Sequence, residues 1–465
     1  MPKRALALLA LAAALAAQTV DRTKPPQTPP IPTYKLPPVF ETSLPNGLVV
    51  QLVEDSRFPL VTVRLNFAGG TRLDPPEMPG LAEAVASLLT EGTAGRTSRQ
   101  ISEDIDSIGG ALSASADPDA LTIAGNALSE NAGKLLGLLA DVALHANFPA
   151  GEVDLYKRNR TESLKAERAD PSYLAEEKIA RLVYGTTPYA HIGPTPLSIS
   201  KIDGKMLATF RDQHLVPENA VLIVLGRLPA RAELMKTLTS DFGSWPRKAA
   251  TAPPRIVAPM PRREIVLVDR PGSVQADIHV GRSAPPRTAT DFFPLLVASD
   301  ILGGGTSSRL FRDVRERDGY AYDAHSEYNT NRDASMFEAV TEVRNEVIEP
   351  ALKEVLAEMG DMASKPISSA ELAHFKDYMC GLYLLRLETQ GGVAAQLTTI
   401  RTLGLPKDYL ETYTARVRAV TGAQVQAAAR QFIAPDRSAI VVVGDASKIG
   451  DALKKFGPVR VEADQ

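Results

Sequence analysis

The sequence predicts an α+β protein of two homologous domains, each a mainly antiparallel sheet with helices packed on it. Three observations lead there. The chain has 465 residues, 44% of them hydrophobic, enough for more than one core. A Pro-rich stretch, WPRKAATAPPRIVAPMPRR (245–263), divides it into two blocks. Segments of one block recur in the same order in the other.

The recurrence is clearest where the blocks end. QHLVPENAVLIVLGRL (213–228) and QFIAPDRSAIVVVGDA (431–446) align without gaps, pairing Gln213 with Gln431, Pro217 with Pro435 and Gly226 with Gly444. Each reads as a helix end, a proline stop, a buried strand and a glycine. Both blocks also open on strands. LPNGLVVQLVED (44–55) sets an Asn-Gly turn beside alternating apolar residues and leads into LVTVRLNFAG (60–69); REIVLVDR (263–270) and ADIHVGRS (276–283) take the same places later. Helical stretches follow in each, SENAGKLLGLLADVAL (129–144) and VIEPALKEVLAEMGDM (347–362), with apolar residues three and four apart. The domain boundaries read as 40–244 and 264–460, joined by 245–263.

Ahead of the first block, MPKRALALLALAAALAAQTV combines basic Lys3 and Arg4 with a short apolar run and small residues, the pattern of a secretory signal peptide over 1–17. The run is too short for a membrane span, and the expected location is periplasmic or extracellular. Residues 18–39 form a Pro-rich arm. The formal charge of −3, moving to −5 without Lys3 and Arg4, gives no reason to expect nucleic acid as a partner. A single Cys380 excludes an internal disulfide, and its apolar neighbours mark it as a buried structural thiol.

The stretch GLAEAVASLLTEGT (80–93) carries the functional question. At about 100° per residue, Leu81, Val85, Leu88 and Leu89 share one face, while Glu83, Ala86 and Ser87 fall on the other. Positions 83 and 87 stand one turn apart, the separation at which two histidines share a zinc ion in H-x-x-E-H, with the general-base glutamate at 86. Taken alone, Glu83 and Ser87 are an ordinary solvated helix face.

At this point the chain resembles the pitrilysin/insulinase metallopeptidases, in the small two-domain type typified by mitochondrial processing peptidase and its bacterial relatives. There the stretch reads approximately GLAHLLEHMLFKGT, and Gly80, Leu81, Ala82, Leu88, Gly92 and Thr93 keep its frame. The resemblance runs from about Phe40 to about Val459 through LPNGLVV, FAGG (67–70), PYAHIGP (188–194), GGGTSSRLF (303–311) and RERDGYAY (315–322). It implies two such domains facing each other across a chamber. It also implies that the zinc motif is degenerate: Glu83 and Ser87 replace the histidines and Ala86 replaces the glutamate. The third ligand position falls on Ser163, with Glu162 adjacent. No metal is therefore expected on this chain. The remaining histidines, at 145, 191, 214, 279, 325 and 374, form no metal-binding spacing and read as structural or exposed.

In the second block the resemblance places a substrate-binding arginine and tyrosine on Arg315 and Tyr322. A guanidinium offers donors to peptide carbonyls and a phenol can stabilise an oxyanion. Their bland readings are a cation in the last turn of a helix that stops at Gly319, and a tyrosine on a strand. The expected function is the zinc-free subunit of a heterodimeric protease. Its partner would be a homologous exported subunit with intact H-x-x-E-H and the zinc, and its substrate extended or unfolded peptides added along the edge at 111–123. The alternative is a non-enzymatic peptide clamp or assembly protein on the same fold.

Overall fold

The computed structural model describes residues 31–249, 253, 255–259 and 262–463. The signal peptide expected at 1–17, and residues 18–30 of the arm, lie outside them. Among the described residues no helix is long and apolar enough to cross a membrane. From Tyr34 onward the chain is one compact unit built on two six-stranded sheets.

The first sheet comprises β1 (Val39–Ser43), β2 (Val49–Glu54), β3 (Leu60–Ala68), β4 (Ala111–Ala116), β5 (Ala120–Leu128) and β6 (Ala220–Gly226), in the order β1-β2-β6-β3-β5-β4. The second comprises β7 (Glu264–Asp269), β8 (Gln275–Ala284), β9 (Ala321–Asn329), β10 (Ser335–Arg344), β11 (Ala439–Gly444) and β12 (Val459–Ala463), in the order β12-β7-β11-β8-β10-β9. From β2/β7 to the β4/β9 edge the orders match strand for strand. β6 and β11, the strands of the aligned repeat, lie inside their sheets with every residue buried, which explains their unbroken apolar runs. The outermost strands differ: β1 pairs antiparallel with β2, β12 parallel with β7.

The register defines equivalent residues. Arg64 on β3 lies opposite Ile223, and His279 on β8 lies opposite Val441. Ile223 and Val441 are aligned in the repeat, so Arg64 and His279 hold the same place in the two halves. On β3 the alternate residues Val61, Val63 and Leu65 are fully buried against helices of their own half. The other face is covered from the opposite half.

That cover is an exchange of helices. Pro171–Tyr184 and Gln390–Leu403 are equivalent 14-residue helices, and each lies on the sheet of the other half. The first is capped by Asp170 with Pro171 at its opening turn, the second by Thr389. Leu174, Ile179 and Val183 of the first helix share a core with Val268, Val441 and Val443 of the second sheet. Gly281 permits the approach, since a Cβ there would stand 2.8 Å from Ile179. In return, Arg64 Nε donates to Thr398 Oγ1 at 3.2 Å and Asn66 Nδ2 to Thr402 Oγ1 at 3.2 Å.

Polar groups fasten the seam. The Arg72 side chain, 2% exposed, pairs with Asp119 at 3.0 Å in the β4–β5 turn and with Asp333 at 2.6 Å in the β9–β10 turn. Tyr189 Oη donates to Asp119 at 2.6 Å and the Arg332 amide donates to the other Asp119 oxygen at 2.7 Å. Beneath the Pro171–Tyr184 helix, His279 is held between Asp277 at 2.9 Å and Glu338 at 3.0 Å, all three buried. Burial alone would lower the imidazole, but its hydrogen bonds and the two carboxylate charges raise it to about 9. Cys380 is fully buried, as its neighbours predict.

Candidate functional site

A cleft of about 440 Å³ opens at the seam. Its walls include the start of the Leu81–Leu88 helix with Glu83, the PYAHIGP segment, and the far end of β9 at Asn329. The helix begins at Gly80, whose φ of 87° favours glycine, and a Cβ there would stand 2.5 Å from Pro194. The cap comes from Asp74, which accepts from the amides of Gly80 and Ala82, each at 2.8 Å. Burial outweighs these bonds and pushes the Asp74 carboxyl up to about 7.

The positions where the resemblance looks for a metal are now placed. Glu83 is one-third exposed and accepts from Arg160 Nε at 2.8 Å. Arg160 sits on the neighbouring helix, Ala150–Arg168, and its Nη1 also donates to both oxygens of Glu167 at 2.9 Å. Ser87 is exposed. Ala86 corrects the expectation that it shares the polar face, because it is 2% exposed and packs in the first core. A short eight-residue helix wedged between β4 and other helices buries more than one stripe, and a methyl group costs nothing there. Ser163 is exposed. Glu162 lies about 200° round the helix from Arg160, is 72% exposed, and takes Lys165 Nζ at 2.7 Å. It does not join Glu83.

These side chains supply one carboxylate already bound to a guanidinium, a methyl group and two exposed hydroxyls. Zinc favours imidazole, thiolate and free carboxylate in a tetrahedral shell, so this donor set does not fit it. Nor is there a carboxylate at 86 to draw a proton from water. Sequence reasoning missed Arg160 and Glu167, although their seven-residue spacing puts both on one face of a helix. Tyr156, one turn earlier, was also missed; its buried hydroxyl has no hydrogen-bond partner among the described residues and is pushed above its ordinary range by burial, with the Glu83 charge adding to it.

Arg315 and Tyr322 are brought together. Arg315 lies in a π-helical turn, Phe311–Arg317, a rare local geometry often found at functional sites. Its guanidinium stands 4.8 Å from the Tyr322 ring centroid and 4.5 Å from that of Phe311. The chain turns at Gly319 into edge strand β9, where Tyr322 is 85% exposed. The pair does not line the Glu83 cleft. That cleft meets β9 at Asn329, about 23 Å along the strand from Tyr322 at 3.3 Å per residue.

Of the segment 111–123, residues Ala111–Ala116 form β4, the other edge strand beside the cleft, with an alternating exposed pattern and small side chains. Its outer backbone groups are a template for an added strand. Among the described residues, the one trio of side chains close enough to share a metal ion is Asp313, Glu354 and Glu358. Arg317 pairs with Asp313 and Glu354, and Arg312 with Asp313, while burial and the Asp313 charge push the Glu358 carboxyl up to about 7.

Comparison with known proteins gives the family and supports the fold. Residues 49–193 match the family described as insulinase, peptidase family M16, and residues 201–379 match the peptidase M16 inactive domain. An uncharacterized zinc protease of Bacillus subtilis, YmxG, is 25% identical over 74% of this chain and 83% of its own. Another, ML0855 of Mycobacterium leprae, is 26% identical over 88% and 93%. A crystal structure of a peptidase M16 inactive domain from Pseudomonas fluorescens superimposes with a TM-score of 0.82 at 26% identity, covering 88% of this chain and 98% of that one.

Proposed function

The chain belongs to the pitrilysin/insulinase peptidases, family M16, and on that premise we propose that it is the zinc-free subunit of an exported heterodimeric metalloprotease. The partner would be a homologous subunit with intact H-x-x-E-H, bringing zinc and the general base. This chain would bring a wall of the chamber, the edge strand β4 for main-chain pairing with extended peptides, and the Arg315–Tyr322 pair.

The carrying observation is the separation of two features within one chain. The Glu83 centre holds a guanidinium and has no carboxylate at 86, while Arg315 and Tyr322 stand stacked on a different edge, Tyr322 exposed. Tyrosine that is 85% exposed and held by an arginine has little to do for its own fold. Presented to a second subunit, the same two groups offer donors to a substrate carbonyl and its developing oxyanion.

The test is to isolate the tagged mature chain gently from its host's periplasm, identify what comes with it and measure zinc per complex. An M16 protein bearing H-x-x-E-H, with zinc near one per pair and peptidase activity that Arg315→Ala reduces, is the expected outcome. A chain that arrives alone and metal-free, or a complex whose activity ignores Arg315→Ala, would leave the peptide clamp as the better reading.

A further inference from the structure

The Arg160 guanidinium occupies a particular place. It binds the side chain at the first ligand position, Glu83, on the helix that should bear the zinc motif. It sits on the helix that should bear the third ligand, three residues before Ser163. Its second bond, to Glu167, fixes its orientation along that helix. The Arg160 side chain is only 13% exposed, and PYAHIGP lies close over its guanidinium: a Cβ at Gly193 would stand 3.4 Å from Nη2.

A guanidinium is planar, permanently charged and has five fixed donors. Held between two carboxylates from two helices, it does mechanically what a metal ion does between ligands from two helices. It differs in needing no loading, in being indifferent to chelators and in activating no water. Arg160 gives the Glu83 carboxylate a cation in the position it would otherwise hold unpaired, and so ties the two walls of the cleft together.

We propose that Arg160 replaces the metal ion as the cross-link between the Leu81–Leu88 and Ala150–Arg168 helices, making the retained cleft independent of metal. The proposal rests on reading this half as an emptied metal centre, and not on the existence of a partner. Arg160 is a positioning residue in this account.

The experiment is thermal unfolding of the full mature chain with EDTA, with zinc chloride, and with neither. It is repeated for Arg160→Met, Arg160→Lys and the triple variant Glu83→Gln/Arg160→Met/Glu167→Gln. The melting temperature of the unaltered chain is expected to be the same in all three conditions. Arg160→Met should melt lower, by about 2 °C or more, because two partly buried carboxylates lose their cation. Arg160→Lys, with one ammonium in place of the fork, should fall between, and the triple variant should recover most of the loss. An increase with zinc or a decrease with EDTA in the unaltered chain overturns the proposal, as does an Arg160→Met protein that melts with it. Should Arg160→Met fail to fold, recovery of a folded triple variant carries the same support and its absence the same refutation. Co-purification of a partner is a separate readout, so failure of the heterodimer and failure of this cross-link are told apart.

Discussion

Arg72→Met tests the claim that the two halves of the chain are locked to each other. The substitution keeps a long apolar stem and removes the guanidinium that Asp119 and Asp333 share. Their side chains are 5% and 14% exposed, so water cannot replace it. Breaking a buried pair by removing one partner costs about 3–5 kcal/mol. At about 2 cal/mol/K of unfolding entropy per residue over roughly 430 residues, that is a fall of about 3–5 °C in melting temperature. The assay is calorimetry on Arg72→Met beside the triple variant Arg72→Met/Asp119→Asn/Asp333→Asn. The triple removes the unpaired charges, and a buried ion pair exchanged for neutral groups is close to neutral in energy, so it should recover to within about 1 kcal/mol of the original. The reasoning is refuted if Arg72→Met melts within about 1 °C of the unaltered chain, or if the triple melts no higher than the single variant.

Four further expectations follow from the same structure. His279 is raised from 6.5 to about 9, so its contribution is fully present below about pH 6.5 and lost as pH rises through 9; against His279→Gln, the unaltered chain should lose an advantage on the order of 3 kcal/mol between those limits in pH-dependent melts. Gly80→Ala forces a side chain into a left-handed conformation against Pro194, and should cost about 2 kcal/mol, read as a lower melting temperature. Arg315→Ala should leave the melting temperature of this chain within about 1 °C, since an exposed cation–π contact is worth under ~1 kcal/mol, and, under the proposed heterodimer, should lower kcat of the complex with a zinc-bearing partner by about 100-fold. Glu162→Gln should change neither stability nor zinc content, because Glu162 is exposed and turned away from Glu83.

Much of the fold was legible because it is periodic. The apolar runs of β6 and β11 repeat residue for residue, and a fully apolar strand has one comfortable place, inside a sheet between neighbours. The Asn-Gly turn at 46–47 and the caps at Asp170 and Thr389 are local chemistry, fixed within a few residues of chain. Glu83, Ala86 and Ser87 were legible as departures from a pattern, and Arg315 and Tyr322 as its retention.

What the chain does with those departures was decided by contacts distant in sequence. Glu83 meets Arg160 across 77 positions, and helical periodicity places each on a face of its own helix without saying that the faces meet. Ala86 shows the same limit: spacing assigned it to the polar face, and packing of a short helix against several neighbours buried it. The exchange of the two 14-residue helices, the Arg72 clasp between two turns and the burial of His279 beneath a helix from the other half are likewise tertiary. The sequence by itself determined which segments are strands and helices and that they come twice, since each rests on composition and short-range order, whereas the departures at Glu83, Ala86 and Ser87 have meaning only against the family the chain resembles. Only the tertiary structure decided that Arg160 meets Glu83 from a neighbouring helix and that Arg315 stacks on Tyr322 away from that cleft, because charge partners and edges are set by how distant segments close on each other.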